Sequence, residues 1–383
     1  MPTPLTRQVA YVTAVDVVDN CRAHALQIMK NGYAWWQESK HFELICNLSF
    51  DHWCGFNARR IAHDYGLAHP FPMATFPLFH LEGTRFASLY YRLAALRCRW
   101  KQVSLAYCRS YEAAWWMCKQ GIHTVMESHG LPTNPQHLAS LQEFVHLPSF
   151  AGLVTITPPL EELFIQLGVP AHKILVEPDG VDLERFMAPL SLEEARQHLA
   201  LPLTTPLVVY TGHLYEGRGV DEILQAARQL PQVQFLMVGG TPKDVAYWQQ
   251  KSGQMGLANM TYTGHLANTL LPPYLWAADV LLMPYNSHCS TAGWMSPMKL
   301  FEYMAAGRAV VASDLPVLHS VLRHGENGWL VKADDGTALA TGVHHLLENP
   351  TLRENLARQS REDVQSYDWR KRVGRIIQWL ETR

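Results

Sequence analysis

The run Ser296-Pro-Met-Lys-Leu-Phe-Glu-Tyr-Met-Ala-Ala-Gly307, passing at once into Arg308–Ser313, constrains this sequence more than any other feature. Ser296 has the chemistry of a helix N-cap, and Pro297 suits the first helical position, where a missing N–H costs nothing. Good helix formers follow as far as Ala306, and Gly307 is a natural stop. The next residues are short, apolar and β-branched, as in a strand buried on both faces. A helix that hands over directly to a buried strand is part of a βαβ unit, which requires a parallel sheet with crossover helices. Lys299 departs from the local rules. It sits in the first helical turn, where the dipole disfavours a cation unless an anion docks there as well. Glu302, three residues on, shares its face.

The same alternation extends along the chain. Gln8–Thr13, Glu43–Leu48, Gly152–Thr157 and Lys173–Val176 read as strands, and 20–31 reads as a helix stopped by Gly32. A second series runs through Pro206–Thr211, the helix Val220–Leu230, Gln234–Gly239, Met260–Thr263, Asp279–Met283 and Gly328–Val331. A chain of 383 residues is long enough for two domains with full cores. Ser191 is placed to cap a helix over Leu192–Leu199 after the turn-rich Ala188-Pro-Leu. The expected division is therefore 1–187, 188–365, and a final amphipathic segment, 366–383, packing back on the first domain.

Composition narrows the function. A formal net charge of −2 gives no field favouring nucleic acid. No stretch approaches the ~20 apolar residues of a membrane span, and no apolar leader follows Met1. The 7 cysteines are scattered without a CxxC pair, which fits free thiols in a reducing cytoplasm. No His or Cys spacing suggests a metal. The stretch 85–119 reads as helical, interleaving Arg92, Arg97, Arg99, Lys101 and Arg109 with Tyr90, Tyr91, Trp100, Trp115 and Trp116. That pattern fits either a pair of core helices with a basic face or a peripheral membrane contact.

Candidate ligand-binding residues fall at expected strand ends, where α/β folds bind their ligands. Asp16, Asn20 and Arg22 follow the first strand, without the Gly-rich turn of a dinucleotide site. Glu127 and His129 leave another strand together. In the second half, Gly212-His-Leu-Tyr-Glu-Gly-Arg-Gly219 joins a strand to a helix. Its spacing matches neither a dehydrogenase nor a P-loop, but its glycines let a backbone approach phosphate and Arg218 can bind one in bidentate fashion. Gly264 and His265 follow a further strand.

Four motifs together resemble the retaining GT4 family of glycosyltransferases: the Gly180-Val-Asp182 turn, Thr211-Gly-His…Arg218-Gly219, Tyr262-Thr-Gly-His265, and the Ser296–Gly307 run. The resemblance is strong over the C-terminal half; in the N-terminal half only Glu127-Ser-His-Gly130 matches well. It implies the GT-B architecture, an α/β fold of two Rossmann-like domains with a deep inter-domain cleft. It also implies a nucleotide-diphosphate sugar (UDP- or GDP-linked) as donor, no separate cofactor or metal, and a glycan, lipid-linked or small-molecule acceptor. Carried over, Arg218 and Lys299 grip the diphosphate, with Gly212, His213, Gly219 and the helix start at Ser296, Met298 and Leu300. Glu302 accepts from the ribose, Gly264 and His265 hold the base, and His129 touches the donor sugar near its reacting carbon. Asp16, Asn20, Arg22 and Glu127 are the acceptor-side candidates. Trp294 stands where the family carries a second glutamate, and His213 where an arginine is common. The first departure admits a non-catalytic sugar-nucleotide-binding subunit as an alternative; an epimerase on the same fold is another.

Overall fold

The computed structural model describes residues 8–18, 23–39, 41–78 and 87–383. The chain forms two compact units, one running up to Pro178 and taking in Trp369–Arg383, the other Asp179–Asp368. The strands of the first are β1 Gln8–Thr13, β2 His41–Ser49, β3 Met73–Leu78, β4 Leu105–Cys108, β5 Thr124–Ser128, β6 Phe150–Thr155 and β7 Ile174–Val176. Those of the second are β8 Leu207–Thr211, β9 Gln234–Val238, β10 Met260–Gly264, β11 Val280–Met283, β12 Ala309–Ser313 and β13 Trp329–Val331.

The sheet orders are β3-β2-β1-β4-β5-β6-β7 and β10-β9-β8-β11-β12-β13. Their strand pairs are parallel. Each order reverses direction once, between β1 and β4 and between β8 and β11, so each unit is Rossmann-like with its own switch point. The central strands are apolar on both faces because helices cover both. Val280–Met283 and Ala309–Ser313 are buried throughout.

Three expectations are corrected. The stretch 85–119 is not one helical run. Its described part holds the helices Ala87–Trp100 and Tyr111–Lys119, with β4 between them. Leu105-Ala-Tyr-Cys108 has four residues and no polar face, so periodicity cannot separate it from helix; its place between β1 and β5 makes it a central strand. Gly32 does not stop the first helix, which runs Ala23–Glu38. A glycine ends a helix only when the chain turns left-handed there. Here the helix continues because the next turn seats Trp35, fully buried, 5.0 Å from the Tyr107 ring. The first unit ends at Pro178, ahead of the expected linker. Val181 is already buried in the second unit, its N–H donating to the Tyr367 carbonyl.

The last helix, Trp369–Glu381, packs against Ala23–Glu38 and closes one side of the first sheet. Its seat requires Gly152, since a Cβ there would lie 2.3 Å from the Trp379 ring and 2.9 Å from the Lys173 carbonyl oxygen. Gly152→Ala is therefore expected to cost about 1–3 kcal/mol by overpacking. Urea unfolding of the full chain checks it, and an unchanged midpoint would mean that the helix does not need this seat.

Candidate functional site: two cations at the second switch point

At the carboxyl end of β8 the chain turns through Gly212, with φ of +130°. A Cβ at this position would come within 2.7 Å of Lys299 Nζ. The missing side chain thus makes room for an ammonium group, and the backbone angle is one that other residues rarely adopt. At the far end of the loop Gly219, φ +75°, starts the helix Val220–Gln229 in left-handed conformation. A side chain there would strike the Pro284 carbonyl, so the loop after β11 lies directly on the helix start. Asn286 fastens the two, accepting from the Gly219 N–H at 3.1 Å and donating to Glu222 at 2.8 Å.

The two cations meet over one ring. Lys299 Nζ lies 3.9 Å from the Tyr210 centroid and 5.3 Å from that of Tyr285. The Arg218 guanidinium lies 4.9 Å from Tyr285 and 4.6 Å from Tyr215, whose hydroxyl it contacts. The stem of Lys299 is partly exposed, but its nitrogen is buried, and neither it nor Arg218 Nε has a hydrogen-bond partner. Burial and the nearby Arg218 hold the Lys299 ammonium well below the ordinary lysine range, against the pull of Glu302. Half-buried His213 is likewise held down, by burial and then by Arg218, Lys299 and His265. Cation–π contacts stabilise these charges only in part. Unmet donors beside a second cation make a receptor for an anion.

The helix Met298–Ala306 adds its dipole, and Gly307 ends it with φ +63° as expected. Its start differs from expectation. Ser296 does not cap it: Pro297 takes the N-cap position with no side-chain cap, and Ser296 Oγ instead accepts from the Asp179 N–H at 2.9 Å. A serine serves whichever donor the tertiary fold brings near, here a backbone amide 117 residues away. Leu300 donates its N–H to the Pro297 carbonyl at 2.9 Å, so this expected contact is already engaged; Met298 and Lys299 stand at the uncapped turn.

Glu302 is 8 % exposed. Its Oε1 accepts from Asn268 Nδ2 at 2.8 Å and lies 3.6 Å from Arg185 Nη1. Sequence reasoning did not single out Arg185 or Asn268; Arg185 follows the Gly180-Val-Asp182 turn closely, which was the only signal. Gly264, φ +75°, closes β10 with open space where a Cβ would stand, and His265 beside it is exposed.

In the first unit Glu127 is 1 % exposed and fully engaged. It accepts from Asn31 at 3.0 Å, from Tyr107, and from buried Arg372 at 3.2 Å, and it pairs with His129 Nε2 at 2.5 Å. Arg109 Nη1 stands 3.9 Å from it and Arg109 Nη2 donates to Gln27 at 3.0 Å. Burial pushes the Glu127 carboxyl up, but Arg372, the His129 bond and Arg109 outweigh it and keep it well below the usual range. His129 is pushed down to about 3, by burial and then Arg109, against Glu127. The pair is thus a carboxylate accepting Nε2–H from a neutral imidazole, which leaves Nδ1 as the acceptor nitrogen. Asp16 accepts from the N–H groups of Ser49 and Val18 at 2.9 and 3.0 Å and pairs with His52 at 2.7 Å. These bonds outweigh its partial burial and lower its carboxyl. Asn20 and Arg22 lie outside the described residues.

Residues 205–349 match the family model Glycosyl transferases group 1. Over this segment the chain resembles the group 1 glycosyltransferases. Its relatives include the phosphatidyl-myo-inositol mannosyltransferase of Mycobacterium tuberculosis, 32 % identical over 216 residues, covering 54 % of this chain and 53 % of that protein. The D-inositol 3-phosphate glycosyltransferase of Xylanimonas cellulosilytica is 28 % identical over 245 residues, covering 61 % and 57 %. The chain thus spans about half the length of the curated relatives it matches. The fold is shared over more of the chain. Anabaena Alr3699/HepE in complex with UDP superposes with a TM-score of 0.76 at 16 % identity, covering 98 % of this chain and 100 % of that one. A glycosyltransferase from Rickettsia africae gives 0.77 at 13 % identity, covering 98 % of both. The chain therefore has the GT-B fold class, and Lys299 and Arg218 lie in the unit that holds the matched segment.

Unfolding would free His129 to take up a proton at its ordinary value of 6.5 rather than near 3. Between those values the unfolded chain binds more protons than the native one, so stability falls as pH falls, and Glu127 acts in the same direction. Melting temperature measured against pH should decline through this window and decline less steeply in His129→Asn. Parallel profiles for the two proteins would rule out a buried neutral imidazole.

Proposed function

We propose that this protein is a retaining glycosyltransferase that moves a hexosyl group from a nucleotide-diphosphate sugar to a hydroxyl of a glycan, lipid-linked or small-molecule acceptor. The observation that carries the reading is the pair of cations, Lys299 and half-buried Arg218, which share the Tyr285 ring and each keep a buried nitrogen without a hydrogen-bond partner. A diphosphate supplies the acceptor oxygens those donors lack. It also makes the protonated form of Lys299 favourable, because two negative charges replace the repulsion of Arg218. In transfer, the bond from the anomeric carbon to the diphosphate oxygen breaks while a bond to the acceptor oxygen forms on the same face. The acceptor proton passes to the departing phosphate oxygen. Charge grows on that phosphate in the transition state, where Arg218, Lys299 and the uncapped helix start stabilise it. These groups supply the positive charge that a metal provides elsewhere, so the proposed reaction is metal-independent.

Glu302, oriented by Asn268 and Arg185, is assigned to the ribose hydroxyls, and Gly264 with His265 to the base. His129 is given a hydrogen-bonding role toward the donor sugar instead of an acid–base one, since its imidazole stays neutral across the working range. Asp16 is kept as the acceptor-side candidate. Glu127, engaged on all sides, acts through His129. The relatives, a phosphatidyl-myo-inositol mannosyltransferase and a D-inositol 3-phosphate glycosyltransferase, support a polyol or lipid-linked acceptor. A peripheral membrane contact within 85–119 suits a lipid-linked one.

Arg218→Ala and Lys299→Ala should each lower donor turnover by about 100- to 1,000-fold, the effect of removing one preorganised electrostatic group. Wild-type turnover should survive EDTA, and the product should keep the anomeric configuration of the donor. Near-wild-type rates in both variants would remove the cations from the mechanism. Trp294, in place of an acid, favours the second reading, a non-catalytic sugar-nucleotide-binding subunit. The two readings part in a thermal-shift screen of UDP- and GDP-sugars followed by product analysis. Both predict a raised melting point with the right donor. Transfer to any member of an inositol and glycan acceptor panel supports the enzyme, and binding without transfer supports the subunit.

A further inference from the structure

The helix Ala87–Trp100 lacks the polar outer stripe expected of a helix on a soluble sheet. Tyr90, Tyr91, Ala94, Ala95 and Cys98 are buried. Taking 3.6 residues per turn, Leu89, Leu93, Leu96 and Trp100 fall within about 60° of one another on the opposite side. They are 47, 40, 59 and 74 % exposed, the most concentrated group among the exposed large apolar side chains of the described residues. A helix apolar on both sides, with one side in solvent, has an unpartnered face.

The charges carried by the helix and by Lys101 just after it all have one sign. The segment Ala87–Trp100 contains no acidic residue. Arg92 and Arg99 run along one edge of the apolar stripe, and Lys101 follows the helix end with Nζ 5.1 Å from the Trp100 ring. The Arg92 guanidinium lies 4.9 Å from the Trp116 ring. Arg97, on the other edge, is neutralised by Glu43 at 2.6 and 2.8 Å, and the neighbouring Glu112 is paired with His137 at 2.9 Å. Three cations therefore border an apolar ridge that ends in a tryptophan.

We propose that this face seats the protein on an anionic lipid surface, with the helix lying in the plane of the membrane. Leucines enter the acyl boundary, Trp100 sits at headgroup level, and Arg92, Arg99 and Lys101 meet lipid phosphates. The helix has 14 residues, short of the ~20 that span a bilayer, so it lies on the membrane rather than crossing it. A second copy of the chain fits this face less well, because a twofold contact would set two like-charged arginine rows on one interface. The inference rests on the proposed membrane contact for a lipid-linked acceptor, but vesicle binding and donor turnover are scored separately, so either can fail alone.

The test is sedimentation of the full chain with vesicles of phosphatidylcholine alone or with roughly one third phosphatidylglycerol. Each cation near an anionic surface strengthens binding about fivefold, so the anionic vesicles should bind on the order of 100-fold tighter. Salt at about 0.5 M should abolish most of that difference. Leu93→Glu with Leu96→Glu should weaken binding at least tenfold at an unchanged melting temperature. Arg99→Glu with Lys101→Glu should remove the preference for anionic vesicles without substituting an apolar residue. Equal binding by wild type and the leucine variant, or no preference for anionic lipid in the wild type, would overturn the proposal. So would a solution mass that doubles in the wild type and returns to one chain in the leucine variant, which would assign the face to a second copy.

Discussion

Positive charge held with buried nitrogens left open is the constraint on which the proposed function depends. Lys299 and Arg218 share the Tyr285 ring, and each keeps a buried nitrogen with no hydrogen bond. Buried donors of this kind destabilise a fold unless something outside the chain completes them. The surrounding architecture sustains the arrangement: Gly212 clears space for the ammonium, Gly219 lets the loop after β11 approach, and Asn286 fastens the two segments. Two cations at one switch point are the preorganisation that the proposed diphosphate grip requires, and the match to group 1 glycosyltransferases falls on that segment.

In the first unit a buried carboxylate gathers its partners around it. Glu127 is surrounded by Arg372, Arg109, Tyr107, Asn31 and His129. This network fixes a neutral imidazole with Nδ1 as its acceptor nitrogen. Arg372 comes from the final helix, 245 residues from Glu127, and also donates to the carbonyls of Glu177 and Pro178. The last segment of the chain is therefore both a wall of the first unit and an electrostatic support for His129.

Much of the fold was legible where local rules act alone. Gly307 ends its helix in the left-handed conformation, Ser191 forms a capping box with Glu194, and β11 and β12 are buried as continuous apolar runs should be. Misreadings arose where a local rule had a distant competitor. Gly32 was overruled by the burial of Trp35, Ser296 by the Asp179 amide, and β4 was hidden in an apolar stretch too short to show a period. Arg185 and Asn268 went unnoticed because neither belongs to a motif; they matter only through their contact with Glu302.

By itself the sequence determined the alternation of strand and helix, the two parallel sheets this implies, and the anomaly of a lysine in a first helical turn. These depend on side-chain periodicity, capping chemistry and the helix dipole, which act over a few residues. The tertiary structure alone decided which charges are satisfied and which are left open. Pairing depends on what lies within a few ångströms after folding, and neither Arg372 beside Glu127 nor Arg218 and Lys299 over one tyrosine could be read from neighbours in the chain.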